Sequence, residues 1–151
     1  MNILIADDHE LIREGIRQSL QDLDQSAVLF EAENEYQIET ILCAEDIHVL
    51  LLDLVLPNGK SFKLLEEAII NYPDIKVAML TASDDVNDVR KCMEYGASAF
   101  ITKTSGKSNL VNALRLVLAG GVFISPDLID KIKQSQEDVE LQGDNEKKLS
   151  S

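Results

Sequence analysis

His48-Val49-Leu50-Leu51-Leu52-Asp53 runs four large apolar residues straight into a carboxylate. The run is of strand length and shows no alternation, the pattern of a strand covered on both faces, as in the middle of a parallel sheet. Working outward, comparable runs stand at Ile3–Ala6, Ala27–Ala32, Val77–Leu80 and Ala97–Ile101. The stretches between them have helical spacing. Ile12, Ile16 and Leu20 fall at i, i+4, i+8, and Leu110, Leu114, Val117 and Leu118 follow the same period near the other end. Gly96 and Gly120 read as helix stops. Strand–helix alternation of this kind predicts an α/β fold: a five-stranded parallel sheet with helices on both sides, five in number.

The chain has 151 residues, a single-domain length, and 45% are apolar, a globular value. Twenty-seven acidic against 14 basic residues give a net charge of −13. A surface this acidic is a poor binder of nucleic-acid phosphate and suits a cation or a basic partner. Two cysteines, Cys43 and Cys92, exclude a disulfide framework or a multi-cysteine zinc site and are expected as reduced thiols. No apolar run approaches the ~20 residues of a membrane span. The opening Met1-Asn2-Ile3-Leu4 lacks the basic segment of a signal peptide, so a cytoplasmic protein without a membrane partner is expected. After Gly120-Gly121 the pattern changes. Val122–Ile124 is a short apolar stub, Ser125-Pro126 has the form of an N-cap with proline at the first helical position, and Asp127–Lys133 is long enough for two turns. From Gln134 onward the chain is polar. The expected divisions are a globular domain over 1–121, a short helical extension over 122–134, and a polar linker or tail over 135–151.

In an open parallel sheet, ligands bind outside the carboxyl ends of the strands, so the residues just after each apolar run carry the chemistry. These are Asp7-Asp8, Asp53, Thr81 and Lys103, while Glu33-Asn34 after the second run is unremarkable. Three clustered carboxylates would repel and raise one another's pKa values. A hard divalent cation such as magnesium resolves that repulsion. One cation and one lysine facing a carboxylate make a clamp for a transferring phosphoryl group, and a carboxylate can itself be the nucleophile. Asp53, expected on the central strand, is the candidate. The plainer readings are that the acid pair caps the first helix, that His9 is an exposed first-turn residue, that His48 is structural, and that Asp84-Asp85 begins the fourth helix. Lys131-Ile132-Lys133 is too short for a nucleic-acid patch.

Together, Asp7-Asp8, Asp53 with Pro57 four residues later, Thr81-Ala82 and Lys103 resemble the response-regulator receiver domain of two-component signalling, over residues 2 to about 120. The resemblance implies a flavodoxin-like doubly wound sheet of order 2-1-3-4-5. It implies that Asp53 accepts a phosphoryl group from a histidine kinase, and that Asp8, Asp53 and the Val55 carbonyl hold Mg2+ with Asp7 behind them. Lys103 would pair with a phosphoryl oxygen, and Thr81 and Phe100 would form the switch, Thr81 moving toward the phosphoryl group and leaving space for the Phe100 ring. Such a domain is a phosphoacceptor switch and not a turnover enzyme. Asp7-Asp8-His9-Glu10-Leu11-Ile12-Arg13-Glu14-Gly15 and Ala119-Gly120-Gly121-Val122-Phe123-Ile124-Ser125-Pro126 are similar to the LuxR-type regulators, which dimerise on phosphorylation and control transcription through a C-terminal helix-turn-helix. Residues 135–151 are too few and too polar to hold that DNA-binding domain. In that group Gly15 is expected to serve close packing. Three departures stand out. Thr104 replaces a frequent proline, so the cis peptide seen there elsewhere need not form. Ser61 replaces a frequent glycine, which is expected to stiffen the loop after Asp53 or to shift phosphorylation kinetics. Phe100 has no phenol hydroxyl. The competing readings are a stand-alone receiver acting by protein contacts, a haloacid-dehalogenase-like phosphatase, and a flavodoxin-like flavin or nucleotide binder. The last is disfavoured by the absence of glycine in Asp7-Asp8-His9-Glu10.

Overall fold

The protein is described by a computed structural model over residues 1–136. The strands are β1 (Asn2–Ala6), β2 (Val28–Ala32), β3 (Val49–Asp53), β4 (Val55–Leu56), β5 (Gly59–Lys60), β6 (Lys76–Thr81), β7 (Ala99–Thr102) and β8 (Phe123–Ile124). The helices are α1 (Glu10–Leu23), α2 (Glu35–Ala44), α3 (Phe62–Asn71), α4 (Val86–Glu94), α5 (Lys107–Leu118) and α6 over 126–136. Six strands form one parallel sheet in the order β2-β1-β3-β6-β7-β8. The order 2-1-3-4-5 is therefore present, with β8 added along β7.

Side chains alternate across a strand, so β3 feeds two cores at once. Val49 and Leu51 face one core, where Ile16 and Leu20 of α1 meet Leu110, Leu114 and Val117 of α5. Leu50 and Leu52 face the other, formed with α2, α3, α4 and Leu128 of α6. Every residue of β3 is buried, as its unbroken apolar run demands. Leu118, expected on the buried stripe of α5, lies off it and is 43% exposed.

Helix ends follow local chemistry. Asn34 and Asp85 cap α2 and α4 by accepting from the backbone N–H of Gln37 and Asn87. Gly96 and Gly120 take φ of 99° and 90° just past α4 and α5, a region that disfavours any residue with a Cβ. The acid pair does not cap α1 as a cap residue would; His9 occupies that position.

Three features exceed the five-strand, five-helix expectation. Pro57-Asn58 makes a tight turn between β4 and β5, which pair antiparallel. The stub at Val122–Ile124 becomes β8. Finally, α6 runs through 136, two residues into the stretch read as a polar tail, and Leu128 is fully buried against the main core. The rest of that stretch, 137–151, lies outside the described residues. Gly15 does not serve close packing: a Cβ there would meet nothing within 4 Å. It lines an open groove between α1 and α5, shared with Leu11 and Lys107.

Candidate functional site

The carboxyl ends of β1, β3, β6 and β7 bring Asp7, Asp53, Thr81 and Lys103 to one edge. Lys103 Nζ lies 2.7 Å from Asp7 Oδ2 and 2.9 Å from Asp53 Oδ2. The contact to Asp53 is a hydrogen bond, and the second Asp53 oxygen accepts from the Val55 N–H at 3.2 Å. Asp7 and Asp53 are both buried, whereas the Asp8 side chain is 35% exposed and faces the opening. Oxygens of Asp7, Asp8 and Asp53 and a ring nitrogen of His9 lie within 4.8 Å of one another.

Burial pushes both buried carboxyls up, and the outcome then depends on their partners. For Asp7, burial is outweighed by Lys103 and by two contacts from His9, so its pKa is lowered. For Asp53, burial and the neighbouring Asp7 charge outweigh Lys103, so its pKa is raised. Burial would lower the Lys103 ammonium, but its close contacts with the two carboxylates raise it instead. One ammonium is thus shared by two buried carboxylates. Asp7 Oδ2 has only the ionic contact; no hydrogen bond of good geometry reaches it. An under-satisfied buried carboxylate oxygen beside two further carboxylates is a donor set for a hard, oxygen-seeking cation. The acidic site of Asp7, Asp8 and Asp53 fits the Mg2+ site typical of receiver domains.

Thr81 is buried, and its Oγ1 accepts from the Ser83 N–H at 2.9 Å, inside its own loop. Phe100 is already fully buried in the core. Its ring occupies an interior slot in this state and does not wait in solvent for one to open. Ser61 Oγ donates to the Asp53 carbonyl at 2.8 Å, and its N–H donates to the Leu54 carbonyl, so the serine does tether the loop after Asp53. The described residues contain no cis peptide bond.

Four site features were not legible in the sequence. His9, read as an exposed first-turn residue, turns its Nδ1 toward both Asp7 Oδ1 (2.9 Å) and Asp8 Oδ1 (3.0 Å). Its backbone N–H also donates to Asp7 Oδ1. Arg13 is buried on α1 and reaches back to the Asp7 carbonyl. Glu33, dismissed with Asn34, pairs with Arg13. Lys60 on the β4–β5 hairpin pairs with the buried Asp88 of α4 at 2.9 Å. Outside the site, His48 Nδ1 accepts from the Asn2 N–H, a structural role. Cys43 is exposed, while burial pushes the Cys92 thiol up to about 12 and leaves it unreactive near neutrality.

Among the described residues, no helix is long and apolar enough to cross a membrane. The sequence profile of the response regulator receiver domain matches residues 3–115. The chain belongs to the response regulator receiver domain family. It is similar to the response regulator GacA of Pseudomonas protegens, 31% identical over 134 residues, covering 87% of this chain and 62% of that protein. It is similar to the glycerol metabolism activator of Pseudomonas putida, 36% identical over 132 residues, covering 84% and 58%. The chain thus spans about 62% of the length of the GacA proteins it matches. Among solved structures, a LuxR-family two-component response regulator from an Aurantimonas species superposes with a TM-score of 0.83 at 26% identity, covering 89% of this chain and 96% of that one. The isolated receiver domain of RcsB from Salmonella enterica serovar Typhimurium, in the presence of phosphomimetic BeF3−, gives 0.80 at 26%, covering 87% and 97%. This chain is a receiver domain of the LuxR type, the kind of domain that acts as a phosphoacceptor switch.

Proposed function

We propose that Asp53 accepts a phosphoryl group from a histidine kinase in the presence of Mg2+. The supporting observation is the Lys103 ammonium held between Asp7 and Asp53 at the sheet edge, with Asp8 open to solvent beside them. Asp53 attacks phosphorus as the ionised carboxylate. The P–N bond to the kinase histidine breaks, and the imidazole leaves with a proton. Lys103 moves from the carboxylate pair to a phosphoryl oxygen and offsets the charge that the transfer brings in. Asp8, Asp53 and the Val55 carbonyl would hold the metal, Asp7 would stand behind them, and the bound ion would neutralise phosphoryl charge.

Thr81 then exchanges its Ser83 bond for a phosphoryl oxygen, and the β6–α4 loop follows it. Phe100, paired with Met79 across β6 and β7 and buried in the core cluster that also holds Val89 of α4, senses that shift through its existing packing. The phosphoryl group biases the equilibrium only by its differential stabilisation of the active state. The output is a homodimer that regulates transcription through a helix-turn-helix domain in the longer protein. A dimer on DNA is described for the relative RcsB, at 25% identity and a TM-score of 0.81. In this reading residues 1–121 are the receiver, 122–134 an extension whose helix runs on to 136, and the rest of 135–151 a linker in a cytoplasmic regulator.

The test is incubation with Mg2+ and acetyl phosphate, read by intact-protein mass. One phosphoryl group on the wild type and none on Asp53→Asn is the expected result. Uptake by the Asn variant at the wild-type rate would reassign the acceptor.

A further inference from the structure

Arg13 is a charged residue on the inner side of α1, only 7% exposed, and nothing in the phosphoryl chemistry requires it. Its three nitrogens are all committed. Nη1 donates to the Asp7 main-chain carbonyl at 2.6 Å, Nε lies 3.1 Å from Glu31, and Nη2 lies 3.1 Å from Glu33. The two glutamates flank Ala32 at the end of β2, and the Ala32 carbonyl accepts from the Asp7 N–H at 3.1 Å. The backbone of Asp7 is therefore gripped on both sides by the end of β2, directly at its N–H and through Arg13 at its carbonyl. That carbonyl belongs to the peptide joining Asp7 to Asp8.

We infer that Arg13 is a positioning residue for the divalent cation, fixing the Asp7–Asp8 peptide so that the Asp8 carboxylate stands preset at the mouth of the pocket. The inference rests on the metal-binding part of the proposed function and adds a residue to it. Asp8 needs such support because, among the described residues, its side chain is paired only with the exposed His9 ring. The planar guanidinium suits the task, since its fork bonds a carbonyl and two carboxylates at once, which a lysine cannot reproduce. Glu33 and Glu31, the latter shared with Arg17 at 3.6 Å, balance the two arginines, so the effect of Arg13 on a nearby cation is orientation and not simple repulsion. Groups that orient metal ligands from behind are worth about 10- to 100-fold in metal affinity.

The test compares wild type, Arg13→Lys and Arg13→Met in the 151-residue chain. Mg2+ is titrated by calorimetry, acetyl phosphate uptake is measured at limiting and saturating Mg2+, and unfolding is followed in metal-free buffer. The half-saturating Mg2+ concentration is expected to rise about tenfold in Arg13→Met and by less in Arg13→Lys. Uptake at saturating Mg2+ is expected within about twofold of wild type. A purely structural arginine would lower the unfolding midpoint and leave the Mg2+ midpoint within twofold; that result overturns the inference. So does tighter Mg2+ binding, which would make Arg13 a repelling charge. If Arg13→Met does not fold, Glu33→Gln, which weakens the grip on the guanidinium from an exposed position, carries the same readouts: a raised Mg2+ midpoint supports the inference and an unchanged one overturns it. Because Mg2+ binding is read separately, a wild type that binds Mg2+ without taking up phosphate would sink the phosphoacceptor reading and leave this one standing.

Discussion

Two loops flank Asp53, and they are built on opposite plans. The β1–α1 loop carrying Asp7 and Asp8 is held from several directions. Arg13 takes its carbonyl, Ala32 takes its N–H, and His9 folds back on Asp7 with both ring and backbone. The β6–α4 loop, from Thr81 to Asp85, is held mainly by bonds to itself: Thr81 to Ser83, Ser83 to Asp85, Asp85 to Asn87. Its long-range ties in the described residues are the Lys103 N–H donated to the Thr81 carbonyl at 2.7 Å, where the loop leaves β6, and beyond that point a surface ion pair between Asp84 and Lys131 of α6. A loop fixed by buried bonds to other elements is pre-organised for binding, whereas one held by short-range bonds exchanges them cheaply. The contrast assigns capture to one side of the pocket and movement to the other.

Lys103 bridges the fixed parts, so its removal should have the largest effect. In Lys103→Met, Asp7 and Asp53 lose their shared counter-charge while still buried. Breaking a buried pair by deleting one partner costs about 3–5 kcal/mol. Urea unfolding near neutral pH without metal should show that loss, and added Mg2+ should restore part of it by standing between the carboxylates. Phosphoryl uptake should fall by about 100-fold. If the midpoint moves little and Mg2+ does not raise it, the pocket is not the charged, buried site described above.

The two buried aspartates should respond to pH with opposite signs. Asp7 has a lowered pKa, so it contributes stability that is present above its unfolded value and lost as pH falls through its folded value. Asp53 has a raised pKa; its protonated form favours folding, and that contribution is lost as pH rises through the folded value. Near neutral pH without metal, Asp7→Asn should destabilise by about 2 kcal/mol, the scale of hydrogen bonds to a charged group. Asp53→Asn should raise the unfolding midpoint. Both differences should shrink as pH falls below the ordinary carboxylate range. Equal signs for the two variants at neutral pH would break the distinction between them.

The same contrast explains what the sequence revealed. Strand-length apolar runs ending in Asp7, Asp53, Thr81 and Lys103 place those residues on one edge because parallel sheets put all strand ends together. The parallel sheet and the residues gathered at its carboxyl edge were therefore legible from short-range pattern, whereas the order 2-1-3-4-5 came from the family resemblance. Arg13, Glu33 and His9 were not, because their roles depend on pairings across β1, β2 and α1 that no spacing encodes. The sequence clue for Arg13 was its place beside Ile16 and Leu20 on the inward side of α1, where a charge needs a partner. Val122–Ile124 was legible as apolar, but three residues carry too little pattern to show that two of them extend the sheet.

Smaller effects belong to the movable loop. Thr81→Ala deletes the acceptor for the Ser83 N–H and should cost about 1 kcal/mol. It should leave acetyl phosphate uptake near wild type while weakening the conformational response, read as chemical-shift changes in α4 on BeF3− addition. A large loss of uptake would mean that Thr81 helps to bind the donor and that the loop is part of the capture side.

Lys131→Ala should have the smallest effect and is the sharpest test of the contrast. Both partners of its ion pair are substantially exposed, the lysine side chain 44% and Asp84 66%. Such pairs are worth no more than about 0.5 kcal/mol, and less at high salt. The fold should therefore be indifferent to the change, since α6 is seated by Leu128 in the core and by Ser125, whose Oγ accepts from the Thr102 N–H. Hydrogen exchange should quicken only around Ser83–Asp85, with α6 unaffected. A loss above 1 kcal/mol, or faster exchange through α6, would mean that the Thr81 loop is anchored to the C-terminal helix as firmly as the Asp7–Asp8 loop is to β2. Moving Thr81 would then require breaking that anchor, and the energy of phosphorylation would be spent on α6 before it reached α4.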